Sequence, residues 1–172
     1  MSNSTASGNV LIVDDLQPNL FLLESILSED CKTTLASSGA EALERLRSNH
    51  IDLILLDISM PGMDGYEVCR RVKADPDTED IAVIFITGRV EEEDETRGLE
   101  LGGVDYITKP VKPAIVRARV RNHLQLKQAR EALARQNATL EQRVEERTRE
   151  LTWTQQVTIQ SMATLAEYRD PE

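Results

Sequence analysis

The sequence predicts an α/β protein: a doubly wound, five-stranded parallel sheet followed by one long helix. Three observations predict it. Short apolar runs alternate with helical periodicity as far as residue 111, the mark of repeated βα units. Four of those runs end on polar residues that could do chemistry together. From Pro113 to about Arg169 neither a further proline nor any glycine interrupts the chain.

A polar, small-residue leader, residues 1–8, carries no charged-then-apolar signal pattern and is expected to be disordered. Val10 to Val13 is the first strand and runs into Asp14 and Asp15. Pro18 opens a helix with an apolar stripe of Leu20, Leu23 and Leu27, flanked by Leu16 and Ile26. Lys32 to Ala36 is a weak second strand. Ser38 and Glu41 have capping-box spacing, which starts a second helix carrying Ala42, Leu43 and Leu46. The third strand, Leu53 to Leu56, runs into Asp57, and a turn with Pro61, Gly62 and Gly65 follows. Asp64 and Glu67 can cap a third helix, which carries Val68 and Val72 and stops before Pro76. Ile81 to Ile86 is the fourth strand and runs into Thr87. The acidic run Glu91 to Glu95 suits the positive end of a fourth helix, which ends near Gly102 and Gly103. Val104 to Thr108 is the fifth strand, running into Lys109 and Pro110.

Pro113 opens the last helix, far longer than an ordinary globular one, and the length suggests a coiled coil. Leu126, Leu133 and Leu140 recur every seven residues. Arg130, Asn137 and Val144 follow each by four, and Leu151 comes next. This is a heptad seam with Leu at d and mixed residues at a, and a lone Asn at a favours a two-stranded coil. The seam weakens at Arg147 and Thr154, then resumes after a shift as Thr158, Met162 and Leu165. The expected division is therefore a globule over 9–125 and a coiled-coil helix over 126–165. A single helix packed back on the globule is the alternative.

Charge divides the chain near the start of the last helix. Residues 1–111 hold 9 Lys/Arg against 22 Asp/Glu, and residues 112–172 hold 11 against 8. An acidic globule does not attract nucleic acid by general electrostatics, and the tail alternates in sign like a solvated helix. No apolar run approaches the ~18 residues of a membrane span. Cys31 and Cys69 stand far apart without a CxxC partner, so both read as small apolar packing residues in a reducing, cytoplasmic compartment.

If the apolar runs are neighbouring parallel strands, their carboxyl ends share one sheet edge, where open α/β sheets place ligands. Asp14, Asp15, Asp57, Thr87 and Lys109 then meet in one shallow pocket. Two carboxylates about 4 Å apart at an effective dielectric near 20 repel by about 4 kcal/mol. A Mg²⁺ ion removes that cost and suits oxygen ligands. One carboxylate can then hold the metal while another attacks phosphorus. Lys109 would neutralise a phosphoryl oxygen, Thr87 would donate to another, and Gly88 leaves room for approach. Singly, each has a plainer reading: Asp14 and Asp15 as helix caps, Thr87 as a turn residue, Lys109 as a solvated cation. Their joint placement at strand ends favours the pocket.

Residues 9–125 resemble the receiver domain of two-component response regulators, a flavodoxin-like fold. The resemblance rests on Val10-Leu11-Ile12-Val13-Asp14-Asp15, Leu55 through Gly65, Ile86-Thr87-Gly88 and Asp105-Tyr106-Ile107-Thr108-Lys109-Pro110. It implies that Asp57 accepts a phosphoryl group from a histidine kinase or phosphotransfer protein. It assigns Mg²⁺ to Asp15, Asp57 and the backbone carbonyl of Ser59, with Asp14 acting mainly through water. It makes Lys109 the phosphate contact, Thr87 and Tyr106 a switch pair, and the bond before Pro110 cis. In that scheme a charge on Asp57 draws in Thr87 and vacates space that Tyr106 fills. Ser59 and Gly88 occupy positions that tune the lifetime of the phosphate.

Leu140 to Leu151 resembles the linker helices of many signalling proteins. Met162 to Glu172 is similar to the entry of an HD-GYP domain, a metal-dependent phosphodiesterase of cyclic di-GMP. The two histidines, His50 and His123, match no HD motif, so residues 166–172 are expected to begin an output domain whose catalytic part lies beyond this chain. A diguanylate cyclase or kinase output is the alternative. A small Mg²⁺-dependent phosphatase would need a second acid near Asp57, and Ser59 stands there instead. No helix-turn-helix pattern points to DNA.

Overall fold

The computed structural model describes residues 8–88 and 92–167, without the side chains of 92–95 and 166–167. The elements are β1 (Asn9–Val13), α1 (Gln17–Leu27), β2 (Lys32–Ala36), α2 (Gly39–Ser48) and β3 (Leu53–Asp57). They continue with α3 (Gly65–Ala74), β4 (Ala82–Thr87), α4 (Glu92–Glu100), β5 (Asp105–Thr108) and α5 (Pro113–Glu167). The strands form one parallel sheet in the order β2-β1-β3-β4-β5. Val13 pairs with Leu56, Asp57 with Ile86, and Thr87 with Thr108, so the carboxyl ends of the strands do lie on one edge. The expected leader falls outside the described residues apart from Gly8. So do most of the expected output entry and the acidic side chains that were to favour the start of α4.

Both sheet faces are covered, which explains why the strands are apolar runs rather than alternating ones. Leu11, Val13, Ile54, Leu56, Val83 and Phe85 point to one face and pack on Ala42, Leu46, Val68, Cys69 and Val72. Val10, Ile12, Leu53, Leu55, Ile84 and Ile86 point to the other and pack on α1 and on Val116, Val120 and Leu124 of α5. This is the period-2 division that a strand imposes. The α1 stripe holds as Leu20, Leu23, Ile26 and Leu27, but Leu16 is 55% exposed, because it is the N-cap and precedes the first helical turn. Cys69 is buried and Cys31 half-buried, both free. Burial pushes each thiol up to about 11, which keeps them as neutral packing groups.

The helix starts follow their caps. The Ser38 hydroxyl accepts the Glu41 N–H, and the Asp64 carboxylate accepts the Glu67 N–H at 2.8 Å. The reciprocal half of the capping box shifts by one residue, since the Glu41 carboxylate takes the Ser37 N–H at 2.8 Å rather than that of Ser38. The fifth strand begins at Asp105, one residue later than the apolar run suggested.

Two compact units divide the chain, residues 1–127 and 128–172. Within the first, α5 is tied by polar contacts as well as by its apolar stripe. Arg119 and His123 both reach the Asp105 carboxylate, and Lys127 reaches Asp52 at 2.6 Å. Within the second, every described side chain is exposed, including Leu133, Leu140, Leu151 and Leu165. No described helix is long and apolar enough to cross a membrane.

Candidate functional site

Each candidate residue stands where a buried strand runs out. Asp14 follows β1 and is wholly buried, Asp15 is half-buried beside it, and Asp57 closes β3 at 2% exposure. Carboxylate oxygens of Asp14, Asp15 and Asp57 all lie within 4.8 Å of one another. Lys109, after β5, donates from its Nζ to Asp57 Oδ1 at 2.8 Å and to Asp14 Oδ2 at 3.2 Å. One ammonium therefore contacts two of the three clustered carboxylates. Oxygen donors with surplus negative charge at this spacing suit a hard divalent cation.

The loop after Asp57 is folded tightly against it. Gly65 opens α3 so close that a β-carbon there would stand 2.4 Å from the Asp57 carbonyl oxygen. Its N–H donates to the Ile58 carbonyl, as does that of Met60. Ser59 lies exposed in this loop, two residues past Asp57. The neighbouring β4 ends at Thr87, 6% exposed, whose carbonyl accepts the Lys109 N–H at 2.7 Å. The Lys109–Pro110 bond is cis, as the resemblance implied.

The electrostatics follow from burial. Burial pushes the Asp57 carboxyl above its ordinary range; Lys109 pulls it back, and the charges on Asp14 and Asp15 push it up again. Burial pulls the Lys109 ammonium down, but the hydrogen bond and charge of Asp57, with Asp14, reverse this and hold it above its usual value. A neutralising cation is thus in place, yet the anionic form of Asp57 is still disfavoured. A bound divalent cation would lower that cost.

Tyr106 is not at the pocket. Its ring is buried and stacks on Phe85 at 5.4 Å between centroids, and Phe85 in turn packs on Tyr66 at 5.5 Å. The Tyr106 hydroxyl lies against Gly98 of α4, where a β-carbon would stand 1.7 Å away.

The sequence reading missed Asn19. Its Nδ2 donates to both oxygens of Asp14 at 3.0 Å, and the Leu16 N–H donates to Oδ1 at 2.9 Å. Its place in the first turn of α1 was the available signal, since a helix starting directly after the acidic pair brings that turn back over it.

Comparison with known proteins agrees with this geometry. Residues 10–121 match the response regulator receiver domain, and the chain belongs to that family. It is 46% identical over 163 residues to a protein of Vibrio cholerae serotype O1 named "Probable cyclic di-GMP phosphodiesterase", covering 95% of this chain and 37% of that one. It is 34% identical over 165 residues to the "Cyclic di-GMP phosphodiesterase response regulator RpfG" of Xanthomonas campestris pv. campestris, covering 94% and 44%. The chain thus spans less than half the length of these two relatives. The crystal structure of a response regulator from Chloroflexus aurantiacus superposes with a TM-score of 0.66 at 33% identity, over 69% of this chain and 98% of that one.

Proposed function

We propose that Asp57 is the phosphoryl acceptor of a two-component response regulator, supplied by a sensor histidine kinase or a phosphotransfer protein. The observation that carries this is the approach of Asp14, Asp15 and Asp57 to within 4.8 Å of one another, with Lys109 paired to Asp14 and Asp57. Asp15, Asp57 and the Ser59 carbonyl are the residues to hold Mg²⁺, with Asp14 acting through water. Bound there, Mg²⁺ would screen the carboxylates from one another and draw charge off the transferring phosphoryl group. Lys109 holds Asp57 Oδ1, which leaves Oδ2 to attack. A bond forms from that oxygen to phosphorus as the phosphorus–nitrogen bond of the donor breaks, its electron pair returning to the imidazole nitrogen. Lys109 and Thr87 then serve as cation and hydroxyl donor to the phosphoryl oxygens.

The output side of the proposal rests on the stalk and the relatives. The seam residues Leu126, Leu133, Leu140 and Leu151 are 47–65% exposed in the single chain, as expected of a surface that a second copy covers. The stalk then joins two receivers to an output, and the relatives' names point to a cyclic di-GMP phosphodiesterase. The 172 residues themselves are a switch rather than an enzyme, working in the reducing cytoplasm that free cysteines suit. Incubation with phosphoramidate and Mg²⁺ tests the core of this: intact mass should rise by one phosphoryl group, and chelation should prevent it. Equal labelling in the presence of chelator would contradict the metal-assisted transfer.

A further inference from the structure

Asp14 and Asp15 are adjacent in sequence but differ in how far the protein has already engaged their oxygens. Asp14 is wholly buried and accepts from the Leu16 N–H, from the Asn19 carboxamide on both oxygens, and from Lys109. Among the described residues Asp15 accepts no hydrogen bond, and it is half-buried with its carboxylate within 4.8 Å of those of Asp14 and Asp57. Donors that saturate a carboxylate compete with a metal for the same lone pairs. Asp14 is therefore held back from the metal while Asp15 and Asp57 remain open to it.

We infer that Asn19 is a positioning residue that sets the pocket's choice of cation, by keeping Asp14 out of direct ligation and so reserving the site for a water-rich ion. The inference rests on the phospho-acceptor reading and adds to it a determinant of metal selectivity. Mg²⁺ demands near-octahedral geometry and keeps several of its waters, so it is served by few direct carboxylates. Ca²⁺ takes more oxygen ligands in looser geometry and gains from a third carboxylate. Asn19 can act this way because of where α1 starts. Leu16 is the N-cap, and Pro18 in the first turn suits the start of a helix. The turn then carries the Asn19 amide back over the Asp14 carboxylate. Removing the amide leaves two lone pairs of Asp14 unengaged, with only Leu16 and Lys109 still donating.

Calorimetric titration of the whole chain with Mg²⁺ and with Ca²⁺ tests the inference, comparing Asn19→Ala with the unaltered protein. The ratio of Ca²⁺ to Mg²⁺ affinity should rise by about ten-fold, the low end of what loss of a supporting hydrogen bond to a metal-site carboxylate typically does. The similarly sized Asn19→Leu, which cannot donate and adds no carboxylate, should shift the ratio the same way and guards against a fold defect in the alanine variant. Thermal melts with each cation should show the larger upward shift moving from Mg²⁺ to Ca²⁺. If both affinities fall in parallel and the ratio stays fixed, Asn19 is only a brace and the inference is overturned. If the unaltered chain binds neither cation, the phospho-acceptor reading fails first and takes the inference with it.

Discussion

The hydroxyl of Tyr106 occupies the volume that a β-carbon on Gly98 would fill, at 1.7 Å from its ideal position. A glycine inside a helix costs about 1 kcal/mol relative to alanine, so this one needs a reason, and the ring of Tyr106 supplies it. The two residues form one element linking β5 to α4, with Phe85 beneath both.

Gly98→Ala should therefore destabilise the protein by roughly 1–3 kcal/mol, the usual cost of forcing extra volume into a packed site. In a Tyr106→Ala background the same change should be near neutral, because helix propensity of about 1 kcal/mol then offsets the remaining contact with Phe85. Urea unfolding of the four proteins measures the coupling. Equal costs in both backgrounds would show that the notch does not serve Tyr106.

Asp57 makes a signed prediction about pH. Its carboxyl is raised in the folded chain, chiefly by burial and then by Asp14 and Asp15 against the pull of Lys109. A raised acid favours folding below its unfolded pKa of about 3.9, and that contribution is lost as pH climbs through the folded value. Without Mg²⁺, Asp57→Asn should gain stability over the unaltered chain as pH rises above about 4, with no advantage below it. Saturating Mg²⁺ should erase the gain by stabilising only the unaltered chain. Melting temperatures that run parallel across this window would contradict the account.

The stalk seam gives a third expectation. Leu133 and Leu140 are exposed in the single chain and sit at the d positions of successive heptads. Leu133→Asp with Leu140→Asp should convert a dimer to a monomer by light scattering while leaving phosphoryl acceptance unchanged. A dimer that survives both charges would place its interface elsewhere.

Much of the fold was legible because parallel strands announce themselves. Leu53 to Leu56 can be apolar without interruption only if both faces are covered, and Asp57 then falls at the one edge where such strands end. The same logic placed Asp14, Asp15, Thr87 and Lys109 together. It could not place Asn19, because a polar residue in a first helical turn reads equally well as solvated. Nor could it place the Tyr106 ring, since the motif that names a switch does not say which way the side chain lies. Gly98 carried no signal in the sequence, its partner being eight residues away and in another element. The ties from Arg119, His123 and Lys127 to Asp105 and Asp52 were hidden for a related reason. Three residues four apart share a helix face, but only the fold reveals that two carboxylates stand under it.

Identification of the modified carboxylate tests the central claim most directly. After labelling with phosphoramidate and Mg²⁺, borohydride reduction converts an aspartyl phosphate to homoserine, which peptide mapping by mass spectrometry locates to a single residue. The account predicts homoserine at position 57 alone, dependent on Mg²⁺ and absent from the Asp57→Asn variant. Homoserine at position 14 or 15, or an unmodified Asp57 in a labelled chain, would contradict it.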